Sequence, residues 1–180
     1  MKYWTIQKKD IVNYEIYQPN FGLSRFPKNN SKLAVVYDFL LKSYNKVNKT
    51  NLPGLIFSFV KYQQDKILEI ENIDTFCNLM KHSSLITFLQ SINIKEDSIF
   101  ELDYPNSFNP IFIEYNNFQT IMPPICLEFH SKEEISQILH SIECGEAINS
   151  QHPCGLFQAH LPNINKNNIL NKYDINRLYH

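Results

Sequence analysis

Apolar positions along this chain recur in two rhythms, every second residue and every third or fourth. The first rhythm opens the chain. Tyr3-Trp4-Thr5-Ile6 is β-branched and aromatic and predicts a short strand. Period two places Trp4 and Ile6 on one side and Thr5 and Gln7 on the other, so Trp4 and Ile6 are expected in the core. Leu55–Val60, Ser98–Tyr104, Ile111–Tyr115, Ile125–Phe129 and Leu156–Leu161 predict further strands, and Lys66–Glu71 and Asn168–Tyr173 weaker ones. Lys8–Tyr17 fits neither rhythm cleanly. Pro19, Gly22 and Pro27 then impose a loop that carries Arg25.

The helical rhythm is clearest from Ser31 to Val47, where Leu33, Val36, Tyr37, Leu40, Leu41 and Tyr44 form one stripe. Ile73–Ile92 predicts one helix or two, with the joint at Ser83-Ser84. Ser131-Lys132-Glu133-Glu134 is a capping box: the serine hydroxyl and the glutamate satisfy each other's free backbone N–H groups. It opens a helix through Ile135, Ile138, Leu139 and Ile142 that Gly145 is expected to end. Asn116–Met122 predicts a helical turn. Strands and helices mix without a βαβ rhythm. The expected fold is therefore α+β, one compact domain of residues 1–180 with a mixed or antiparallel sheet and three to four helices. The tail 174–180 is expected to be loosely held.

Composition narrows the function classes. Hydrophobic residues make up 43% of the 180, enough for a core, and the formal net charge is −1. Arg25 and Arg177 are the only arginines. A nucleic-acid surface built on clustered basic side chains is not expected. No apolar run is long enough for a membrane span, and no signal peptide opens the chain. The reading is a cytoplasmic protein with reduced thiols.

Candidate chemistry concentrates late. Cys126, His130, His140, Cys144, His152, Cys154 and His160 are metal-capable. His140 and Cys144 share a helix face, and zinc could be held with His152 and Cys154. The spacing matches no finger or ribbon pattern, so buried thiols and surface histidines are the favoured account and no metal site is assigned. Cys154, beside His152 and Gly155, is a second option as a nucleophile. Glu69 with Glu71, and Glu101 with Asp103, are paired carboxylates, read as the solvent face of half-buried strands. No phosphate-binding or hydrolase motif occurs.

Several short segments carry a resemblance. Trp4-Thr5-Ile6-Gln7, Val36-Tyr37-Asp38-Phe39-Leu40, Glu101–Pro105 with Ile111–Ile113, and Leu156-Phe157-Gln158-Ala159 resemble segments of the bacterial domain-of-unknown-function family numbered 3841. The chain departs from that pattern at Glu114, at His160-Leu161 and over Ile73–Ile92. The family brings no catalytic residue with it. The order of an early strand with a polar end, a helix and a late strand bearing an amide is also similar to the plan of ADP-ribosyltransferase folds. That resemblance implies an NAD-handling enzyme of a toxin or defence type. Gln158 and Arg25 would line the catalytic cleft, Thr5 and Gln7 would bind the cofactor, and Gln7, Arg25 and Gln158 would converge in one pocket. The alternative is a non-enzymatic protein-interaction domain, with or without a stabilising zinc.

Overall fold

A computed structural model describes residues 1–20, 31–64, 66–82, 92–105, 111–114, 131–143 and 155–180. Its elements are β1 (Lys2–Lys8), a 3-10 turn (Lys9–Asn13), β2 (Ile16–Tyr17), α1 (Ser31–Asn48), β3 (Ile56–Gln63), β4 (Lys66–Leu68) and α2 (Ile73–His82). There follow β5 (Asp97–Asp103), β6 (Ile111–Glu114), α3 (Lys132–Glu143), β7 (Leu156–Leu161), β8 (Ile164–Asn165), β9 (Ile169–Asp174) and a closing 3-10 turn (Ile175–Leu178). The fold is α+β, and every strand pairing is antiparallel. The expected turn at 116–122, the strand at 125–129 and the helix beyond His82 lie outside the described residues.

The main sheet runs β6-β7-β3-β1-β5-β9, with β4 added to β3. β1 is therefore an inner strand, flanked by β3 and β5. Both of its faces are covered, and Tyr3 through Gln7 are all buried. One face carries Trp4, Ile6, Phe59, Ile99 and Leu156 against Phe76 and Met80 of α2 and Ile175 and Leu178 of the closing turn. The other carries Tyr3, Ile56, Val60, Phe100, Leu102, Ala159 and Leu161 against Ile11 and Ile164. Trp4 lies between Phe76, at 5.2 Å, and Tyr173, at 5.6 Å, both stacked on its indole. Its indole N–H donates to the Ile70 carbonyl at 3.0 Å, so the ring's one polar group is satisfied inside the core. This meets the expectation for Trp4 and Ile6.

The capping box forms as the sequence implies. The Glu134 N–H donates to Ser131 Oγ at 3.1 Å, and the Ser131 N–H donates to Glu134 Oε2 at 2.7 Å. α1 and α3 pack against one another. The tail differs from expectation. Ile175 and Leu178 are buried, and Asp174 caps the closing turn through the Asn176 N–H. The 3-10 geometry turns two apolar side chains onto α2, so the segment is anchored by the core rather than left in solvent.

Candidate functional site

Strand register decides which polar side chains can meet. Thr5 is opposite Ser58 on β3, and Ser58 is opposite Ala159 on β7. Trp4 is opposite Phe59, which is opposite Gln158. Aligned residues in a sheet point to the same side. Gln158 therefore projects from the Trp4 face, while Thr5 and Gln7 project from the opposite one. Of the expected pocket of Gln7, Arg25 and Gln158, the first and last are on opposite faces of the sheet. β7 is also separated from β1 by β3. Arg25 lies outside the described residues.

Thr5 and Gln7 are committed to the sheet itself. The Thr5 hydroxyl donates to the Phe57 carbonyl at 2.6 Å, and Gln7 Nε2 donates to Thr5 Oγ1 at 3.1 Å. Beside them Ser58 Oγ donates to the Ala159 carbonyl at 2.8 Å. These groups are buried with their donors paired, as a sheet interior requires.

Gln158 is in a different condition. It is 2% exposed, and its Oε1 has no hydrogen-bond partner among the described residues. His160, two residues on, shares its face and is fully buried, with its ring edge-on to Phe57 at 5.2 Å. Phe57 in turn meets Tyr37 of α1 at 5.3 Å. Leu156, two residues before Gln158, packs in the α2 cluster. Gln158 thus sits on β7 between the α2 neighbourhood and the α1 neighbourhood.

A second buried polar group occupies the same row of the sheet. Asn171, Glu101, Trp4, Phe59 and Gln158 are aligned across five strands. Glu101 was expected on a solvent face, yet it is 4% exposed. The strand is apolar on both sides, with Ile99, Phe100 and Leu102 all buried, and so Glu101 turns inward beside Trp4. Its Oε1 pairs with Lys2 Nζ at 2.8 Å. Its Oε2 accepts from Asn171 Nδ2 at 2.7 Å and from the Tyr173 hydroxyl at 3.3 Å. Burial pushes the carboxyl upward, but the bonds from Lys2, Asn171 and Tyr173 outweigh it and hold it below the usual range. The same bond raises the Lys2 ammonium above its ordinary value. The adjacent apolar pair Ile99-Phe100, with Leu102 beyond Glu101, put apolar residues on both sides of the strand and was the sequence signal for burial of both faces.

Of the late cysteine and histidine group, His140 lies exposed on α3. His130, His152, Cys126, Cys144 and Cys154 fall outside the described residues, and no group of three or more metal-capable side chains forms among the described ones. Cys77 is buried, and burial pushes its thiol upward. No described helix is long and apolar enough to cross a membrane.

One surface feature was not read from the sequence. Tyr14 is 51% exposed and Ile16 56% exposed. A bend at Glu15 separates Tyr14 from Ile16 of β2, and the Tyr14 ring lies 6.1 Å from that of Tyr17. Tyr17 packs against the core. No family model, curated protein or solved structure matches the chain.

Proposed function

We propose that this chain is a protein-interaction domain whose contact surface includes the β2 ribbon. The supporting observation is the exposure of two large apolar side chains close together in the chain, Ile16 on that ribbon and Tyr14 just before it. The solvent side of a half-buried strand is ordinarily polar. Here Ile16 on the strand and Tyr14 just before it are exposed, flanked in the chain by exposed Asp10, Asn13 and Glu15. An apolar centre within a polar rim is the anatomy of a protein contact. Covering each side chain stabilises a complex by up to about 1.5–3 kcal/mol. The test is capture from the source cell with wild type and a Tyr14→Ser, Ile16→Ser double variant, followed by calorimetry on the purified partner. A partner whose binding is indifferent to the double variant sinks the reading. Zinc held by His140, Cys144, His152 and Cys154 would stabilise such a domain, and metal analysis of purified protein tests that clause.

A second reading, an NAD-handling enzyme of the ADP-ribosyltransferase type, keeps one support. Gln158 Oε1 is a buried acceptor without a described partner. It could accept from a ribose hydroxyl or a carboxamide. A neutral amide supplies no negative charge to a cationic sugar transition state, so Gln158 would orient rather than stabilise it. Thr5 and Gln7 face the other way and would not share this pocket. Calorimetry with NAD tests the reading, and absence of binding removes it.

A further inference from the structure

We infer that Gln158 forms the polar floor of a ligand site on the Trp4 face of β7. The site takes a small neutral molecule that presents an amide-like or nucleobase-like donor edge. This inference does not rest on the interaction reading, and it uses the same side chain as the NAD reading without requiring NAD.

The contrast with Thr5, Gln7, Ser58 and Glu101 carries it. Thr5, Gln7 and Ser58 each spend a donor inside the sheet, and Glu101 accepts three bonds. Gln158, in the same row as Glu101, leaves its acceptor unspent at 2% exposure. An amide oxygen buried without a donor is costly to the folded state, and a donor-bearing ligand removes that cost. The surroundings set the ligand's character. Phe59 is the register partner of Gln158 on β3, Leu156 and His160 are its same-face neighbours on β7, and Phe57 lies beside His160. Glu101 is three strands away, roughly 14 Å at about 4.8 Å per strand, and is already bonded to Lys2. A wall of Phe57, Phe59 and Leu156, with the Gln158 amide and the His160 ring as its polar groups, favours an uncharged planar ligand over an ion. Because the side chain is almost wholly covered, entry requires its covering elements to part.

The experiment compares wild type with Gln158→Met, which keeps length and removes the amide. Nicotinamide and adenosine are the probes, followed by thermal melts and by the Gln158 side-chain amide resonance in wild type. Expected results are a Gln158→Met melting temperature about 2–8 °C above wild type without ligand. In wild type, at least one probe raises the melting temperature and moves the amide resonance, and in Gln158→Met that probe's effect is lost. A variant less stable than wild type shows that the amide is bonded in the fold and overturns the inference. So does a more stable variant with neither probe affecting wild type, since the unspent acceptor is then a structural deficit only. Binding of nicotinamide or adenosine with no binding of NAD supports this site and removes the NAD reading alone.

Discussion

Replacing Glu101 with glutamine is the sharpest test of how the two ends of the chain are held on the sheet. The substitution keeps the side chain's shape and removes its charge. In the native protein Oε2 receives the Asn171 amide at 2.7 Å and the Tyr173 hydroxyl at 3.3 Å. Bonds to a charged group are worth about 1.5–3 kcal/mol against about 1 for neutral ones. The short Asn171 bond therefore loses about 1 kcal/mol, and the longer Tyr173 bond about half of that. The ion pair with Lys2 contributes at most about 1 kcal/mol, because the lysine side chain is 37% exposed and screened by solvent. Relief of the buried charge's desolvation offsets part of the sum. A net loss of about 1–2 kcal/mol follows, a fall of about 2–8 °C in melting temperature for a chain of this length.

The pH dependence gives this prediction its signature. The folded carboxyl sits below its ordinary value, so its stabilisation is fully present above the ordinary carboxylate range and is lost as pH falls through the lowered folded value. Melts of wild type and Glu101→Gln from pH 7 to pH 3 should converge toward the acid end. A gap that stays constant across that range, or no gap at pH 7, refutes the assignment of Glu101 as a charged buried anchor. Lys2→Met should move the acid loss of stability to higher pH, because the carboxylate then keeps its burial cost without its cation.

Three further outcomes are expected. Thr5→Val removes the Thr5 bonds to the Gln7 amide and the Phe57 carbonyl and should cost about 1–3 kcal/mol in denaturant unfolding, while leaving any nicotinamide or adenosine binding at Gln158 unchanged. Trp4→Phe removes the bond to the Ile70 carbonyl and leaves a gap between Phe76 and Tyr173, lowering stability by about 2–4 kcal/mol in the same assay. Ser131→Ala should cost about 1 kcal/mol through loss of the α3 cap, and a change under about 0.3 kcal/mol would show that the cap is not engaged.

The features legible in the chain were local ones. The Ser131–Glu134 box involves residues three apart, and its bonds form as the residue types imply. The alternation around Trp4 needs no knowledge of neighbours, and Trp4 and Ile6 are in the core. Most strand positions and the helix from Ser31 followed from the same short-range logic. Candidate site residues did not follow so readily. Whether Gln7 and Gln158 meet depends on the register of β1 on β3 and of β3 on β7, and a one-residue difference reverses the side on which a side chain lies. Glu101 looked like a surface carboxylate because its bonding partners, Lys2, Asn171 and Tyr173, come from strands distant in sequence.

The alternation and capping signals of this sequence were thus enough to set an α+β fold and to bury Trp4, because propensity, periodicity and caps act within a few residues. Tertiary structure alone decided that β1 lies inside an antiparallel sheet, that Ile175 and Leu178 close the core, and that Thr5 and Gln7 turn away from Gln158. Those outcomes depend on which strands pair and in what register. Pairing is governed by contacts between segments up to a hundred or more residues apart, such as Ser58 with Ala159, and no short window of sequence contains them.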